Sequence, residues 1–141
     1  MQSARKPNLQ PLSMLPMIAG VVDDQLASLQ QQLDNLERAH ARPGSMDDVT
    51  IDRVLLAFGE TRDLLPVFAR QLNHWRDSSP SAAQRDELDR LDRQLTKSRK
   101  ALDAILALAP EIKTQTIESL IARSDAILGL EGVQGSGRFD G

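Results

Sequence analysis

Between residues 51 and 75, apolar side chains return at alternating intervals of three and four: Ile51, Val54, Phe58, Leu65, Phe68, Leu72 and Trp75, with Thr61 the single interruption. A 3.5-residue period held over that length keeps one stripe of one helix against partner helices, the pattern of coiled coils and antiparallel bundles. Two further stretches repeat it. Leu15, Ala19, Val22, Leu26, Leu29, Leu33, Leu36 and His40 precede this seam, and Leu88, Leu91, Leu95, Ser98, Leu102, Ile105 and Ala109 follow it. The fold expected is therefore all-α: an antiparallel up-down helical bundle of three long heptad-patterned helices plus a shorter fourth, with flexible N- and C-terminal arms.

Punctuation sets the boundaries. Residues 1–13, with Pro7 and Pro11 and no periodic apolar pattern, read as a flexible arm, and 14–130 as a single helical-bundle domain. Its first helix is expected over 14–41, with Ser13 as N-cap, Pro16 tolerated in the first turn and Arg42-Pro43-Gly44 as the stop. Ser45-Met46-Asp47-Asp48 resembles a capping box and opens a second helix over 46–76. Pro66 lies inside it, where it forfeits a bond to the Arg62 carbonyl, and an unbroken seam argues for one kinked helix. Ser79 as N-cap and Pro80 at the first helical position open a third helix, 80–109, which Pro110 ends or bends. A fourth, 111–128, carries Ile117, Leu120, Ile121, Ile127 and Leu128 on a broader apolar face, with Gly129 as C-cap. Residues 131–141 hold four glycines and are expected to be disordered.

Short turns force consecutive helices antiparallel. Folding about Pro43-Gly44 sets Leu33 opposite Phe58 and Ala19 opposite Leu72; folding about Pro80 sets Leu65 near Ser98 and Trp75 near Leu88. On this reading the second helix touches both neighbours and the fourth covers the groove between the first and third. Thr61 and Ser98 are expected to bond to the carbonyls four residues back, those of Ala57 and Gln94.

Composition narrows the function. A chain of 141 residues with no cysteine has neither thiolate nucleophiles nor cysteine metal sites, and its net charge of -3 opposes attachment to DNA or anionic lipid by bulk charge. Phe58, Phe68, Trp75 and Phe139 are the only aromatics, too few for a base-stacking platform. Arg5 and Lys6 ahead of the apolar run at 12–22 imitate a secretory signal, but the run falls in phase with the first helix and reads as its start. No segment has the length of a membrane span. The expectation is a cytoplasmic protein without membrane attachment.

Little in the chain points to catalysis. Glu37-Arg38-Ala39-His40 has the Glu-x-x-His spacing of di-iron bundles, but the only other histidine lies in Gln71-Leu72-Asn73-His74, without the matching glutamate. No metal, no cofactor and no enzyme activity are expected. Arg90, Arg93, Lys97 and Lys100 follow the third seam on its opposite side, a basic ridge half neutralised by Asp86 and Asp89 four residues earlier.

The reading is a non-enzymatic interaction protein, an adaptor, chaperone or assembly factor. It binds a protein partner through Ile117, Leu120, Ile121, Ile127 and Leu128, or at a groove opened by Pro66. One alternative is a nucleic-acid-associated regulator using the basic ridge; another is a structural coiled-coil homo-oligomer. In architecture alone, a small acidic bundle with a glycine-containing tail resembles bacterial export chaperones, including those of flagellar subunits, and other helical adaptors, which implies a protein ligand.

Overall fold

Three seam-bearing segments joined by short turns fold back on one another. In a computed structural model, which describes residues 9–139 and side chains as far as residue 129, α1 spans Leu15–His40, α2 Asp48–Arg76, α3 Ala82–Lys113 and α4 Ile117–Phe139. A single 3-10 turn at Leu12–Met14 precedes α1. No strand occurs among the described residues. Val22, Leu29 and Leu36 of α1, Ile51, Leu72 and Trp75 of α2, and Leu88, Leu91, Leu95 and Ile105 of α3 are buried in one continuous core. Each such side chain contributes roughly 1.5–3 kcal/mol by leaving water.

Ion pairs at the helix ends record the topology. Arg76 at the end of α2 pairs with Asp89, at 2.8 Å, and with Asp92 near the start of α3. Lys113 at the end of α3 reaches Asp52 near the start of α2, 2.6 Å away. These two helices are antiparallel. By contrast α1 and α3 are parallel, joined by Asp23 with Arg90 near their starts and by His40 with Glu111 near their ends.

The central helix is α3, which packs along both α1 and α2; it was the second helix that the seam pattern put in this role. A heptad stripe specifies that a helix has partners, not which neighbour takes the closest backbone approach. Small side chains decide that, and α3 brings Ser98, Ala101 and Ala109 into the core. Nor does α4 cover the groove between α1 and α3, which stays open beside Leu33, Glu37, Ala104 and Ala107. Instead α3, the short turn after it and α4 form one bent helical run from Ala82 to Phe139.

Several boundaries differ from the sequence reading, each for a local reason. Met14, not Ser13, precedes α1, because the 3-10 turn uses up Ser13. Asp47 caps α2 by accepting from the Thr50 amide at 2.9 Å, while the Ser45 hydroxyl donates to the Ala39 carbonyl. Ser81 and Gln84 form a reciprocal capping box for α3, so the cap is not Ser79, which turns with φ at 54°. Pro110 neither ends nor divides α3: it sits inside a helix that runs on to Lys113. Likewise α2 is continuous across Pro66.

Part of each expected arm falls among the described residues. Residues 9–13 are not loose: the Gln10 amide donates to Gln71 Oε1 at 2.8 Å, and the Gln10 carbonyl accepts from Gln71 Nε2 and from the Trp75 indole. This strap satisfies the one polar atom of a fully buried tryptophan. At the other terminus, α4 passes Gly129, the expected C-cap, and its backbone is helical to Phe139. Residues 1–8 and 140–141, and side chains from 130 onward, lie outside the described residues, so those parts of the expected arms do too.

Candidate protein-docking site

The turn between α3 and α4 is held by more bonds than its length requires. Thr116 caps α4: its hydroxyl accepts from the Ser119 amide at 3.2 Å and donates to Asp48 Oδ1 at 2.6 Å. The Asp48 amide donates to Glu118 Oε1 at 3.1 Å, so the first turns of α2 and α4 cap each other. Two backbone bonds complete the junction, from the Gly44 amide to the Gln115 carbonyl at 2.7 Å and from the Ile117 amide to the Met46 carbonyl at 2.9 Å. Gly44 adopts φ of +85°, which calls for glycine, and a Cβ there would lie 3.1 Å from Leu120 Cδ1, which would have to give by a few tenths of an ångström.

Beyond this anchored turn, α4 leaves the bundle. Every residue from Ile121 to Gly129 is exposed. Ile117 is 45%, Ile121 55%, Ile127 55% and Leu128 60% exposed; Leu120 alone of the five is half-buried, against Gly44. At 100° per residue these five span about 120° of the helix surface, the width of a face that packs into a core and not of a two-stranded seam. The structure thus brings four of the expected partner-binding residues together on an open face. Pro66 is elsewhere, in a shallow groove with Arg62, Leu65, Arg99, Leu102 and Asp103, and shares no surface with them.

A second apolar stripe went unnoticed in the sequence. Val49, Leu56, Leu64 and Val67 lie on the outer side of α2, away from its core seam, and Leu56 is 69% exposed. Their spacing of seven, eight and three keeps them within about 80° of one another, a sector that also holds Arg53 and Glu60. The signal was readable, but the stronger seam of the same helix masked it.

The basic ridge is shorter than its spacing suggested. Arg90 turns toward α1, forming two 2.9 Å bonds to Asp23 and two more, 2.6 and 3.0 Å, to Glu87. These bonds hold the Asp23 and Glu87 carboxyls below the usual carboxylate range and raise Arg90. Asp89, expected to pair along α3, pairs with Arg76 across the helix interface instead. Arg93, Lys97 and Lys100 remain exposed beside a shallow groove with Asp92 and Thr96.

The Glu-x-x-His pair forms no metal cluster: no group of three or more His, Cys, Asp or Glu able to hold a metal ion occurs among the described residues. His40 Nε2 faces Glu111 at 3.4 Å at the bundle end, and His74 is exposed on α2. No helix among the described residues is long and apolar enough to cross a membrane. Compared with protein families, curated proteins and solved structures, the chain finds no match, so its residues are the whole basis for a functional reading.

Proposed function

We propose that this is a non-enzymatic interaction protein, an adaptor, chaperone or assembly factor acting in the cytoplasm, that presents α4 as its docking element. One observation carries the reading: a helix anchored rigidly at its first turn holds Ile117, Ile121, Ile127 and Leu128 in solvent, away from a three-helix core that is closed without it. Contiguous apolar surface of a few hundred Å² on a small protein marks an interaction site. The groups that would point to catalysis, a nucleophile beside a base or a pocket with perturbed acids, have no counterpart in this reading. An amphipathic partner helix, or a groove that accepts one, is the matching surface.

The test is affinity capture from the native host with wild-type protein and with Ile121→Asp, each with and without nuclease. A protein captured by the wild type, resistant to nuclease and lost in Ile121→Asp supports the reading. Capture that survives the substitution removes α4 from it. Capture abolished by nuclease shifts the function to nucleic acid and to Arg93, Lys97 and Lys100, though with Arg90 engaged by Asp23 that ridge extends only about 10 Å.

A further inference from the structure

The strap over Trp75 is held as a bound peptide is held. The Gln10 amide donates to Gln71 Oε1 at 2.8 Å, and the Gln10 carbonyl accepts from Gln71 Nε2 at 3.2 Å and from Trp75 Nε1 at 2.8 Å. We infer that Gln71 and Trp75 form a socket for an extended peptide segment, which the chain fills with its own residues 9–12 and which a partner's segment can enter in their place. The socket lies about 40 Å along α2 from the base of α4, so it is a second site, separate from the docking element proposed above.

All of these bonds go to the main chain of one residue. A carboxamide that accepts from the N–H and donates to the C=O of a single residue reproduces the paired bonds of a neighbouring antiparallel strand. Sheet edges capture peptides in the same way, whatever side chains the peptides carry. The reading groups are also preorganised: Gln71 and Trp75 stand four residues apart on one face of α2 and are 6% and 0% exposed, so neither has to be ordered when a segment arrives. Among the described residues, neither the Gln71 carboxamide nor the Trp75 indole has a hydrogen-bond partner other than Gln10. An empty socket would leave both buried groups unpaired, so the site exchanges occupants and does not stand open.

Side-chain selection is confined to the flank. Leu12 is half-buried against the core, whereas Leu9 and Pro11 are exposed. The ligand that fits is an extended segment with an apolar residue two positions after the one whose main chain is read. Proline is excluded at the position read, because it has no N–H for Gln71. The chain's own strap has the advantage of attachment, equivalent to a local concentration in the mM range. It therefore acts as an autoinhibitory cover, and whatever loosens it raises the affinity for a segment supplied from outside.

A fluorescein-labelled peptide of residues 7–14, titrated by anisotropy into the full chain, tests this. Gln10→Pro removes the strap's donor, and Leu12→Ala trims its apolar anchor; neither touches the reading groups. Each variant should bind the peptide at least tenfold more tightly than the wild type, at unchanged helix content by circular dichroism. Trp75 is the only tryptophan, so its emission should shift to the red in Gln10→Pro and return as peptide is added. Adding Gln71→Leu to either variant, or placing proline at the Gln10 position of the peptide, should weaken binding at least tenfold. Equal affinity of the wild type and the strap variants would overturn the inference, and Leu12→Ala decides alone if Gln10→Pro unfolds. Binding that tolerates proline in the peptide or survives Gln71→Leu would overturn it as well.

Discussion

Helices α3 and α4 belong to one bent run, yet they meet opposite fates: α3 is buried along both flanks, while α4 is in solvent after a single anchored turn. Both are apolar enough to fold inward. The difference is what lies opposite the apolar face. On α3 a buried face about 140° wide, with small residues Ser98, Ala101 and Ala109, fits between two helices. On α4 a broad face of branched side chains has no groove of its own chain within reach of its fixed exit. Apolar content therefore does not place a helix inside; a complementary surface that the connection can reach does.

Core truncation tests that contrast most severely. Leu95→Ala, at a buried α3 position, should lose about 2–5 kcal/mol of unfolding free energy in urea titration. Ile127→Ala, the same kind of deletion on α4, should change the free energy of the isolated chain by less than about 0.5 kcal/mol. Equal losses would mean that α4 packs on the core in solution. The junction comes next. Gly44→Ala forces a side chain into left-handed backbone and against Leu120, and should destabilise by about 1–2 kcal/mol. It should also raise amide exchange at residues 115–120, while exchange at 90–105 stays slow.

A smaller effect, opposite in sign, is expected inside α3. The Ser98 hydroxyl is fully buried without a hydrogen-bond partner; the bond to the Gln94 carbonyl expected from sequence is not made, whereas Thr61 does donate to Ala57 at 3.2 Å. Ser98→Ala should therefore stabilise by about 0.5–1 kcal/mol, read as a higher urea midpoint at unchanged slope.

The pH response should be smallest. Asp23 and Glu87 have native pKa values depressed chiefly by hydrogen bonds from Arg90. Their contribution is thus complete above the unfolded carboxyl values of about 4 and is lost as pH falls through the lower native ones. Because the groups are partly exposed, screening limits the loss to about 1 kcal/mol or less. Stability should fall from pH 5 to about pH 2, and Asp23→Asn should flatten part of that fall. A flat wild-type profile would show that the Arg90 network is not maintained in solution.

Much of this was legible in the residues because the signals are local. Heptad seams named the three long helices and most core positions, and Thr61 behaves as its place in the seam suggested. The Ser81–Gln84 capping box was written in the chain two residues beyond Ser79, the serine chosen for the role. Arg90 was misassigned for the opposite reason: its i–4 acid was visible, but Asp23, which lies 67 positions away, takes its guanidinium. The α2 outer stripe was legible too, yet meaningless until the core had claimed the other side of that helix.

By itself, then, the sequence determined that this protein is a bundle of long amphipathic helices with turns near Pro43-Gly44 and Ser79-Ser81, because periodicity, proline, glycine and caps act within a few residues. Only the tertiary structure decided that α3 is central, that Gln10 straps Trp75, and that α4 leaves the core from the corner built by Gly44, Asp48 and Thr116. Those outcomes depend on which surfaces meet across 60 or 70 residues of chain, and a periodic pattern tells a helix to seek a partner without saying which one it can reach.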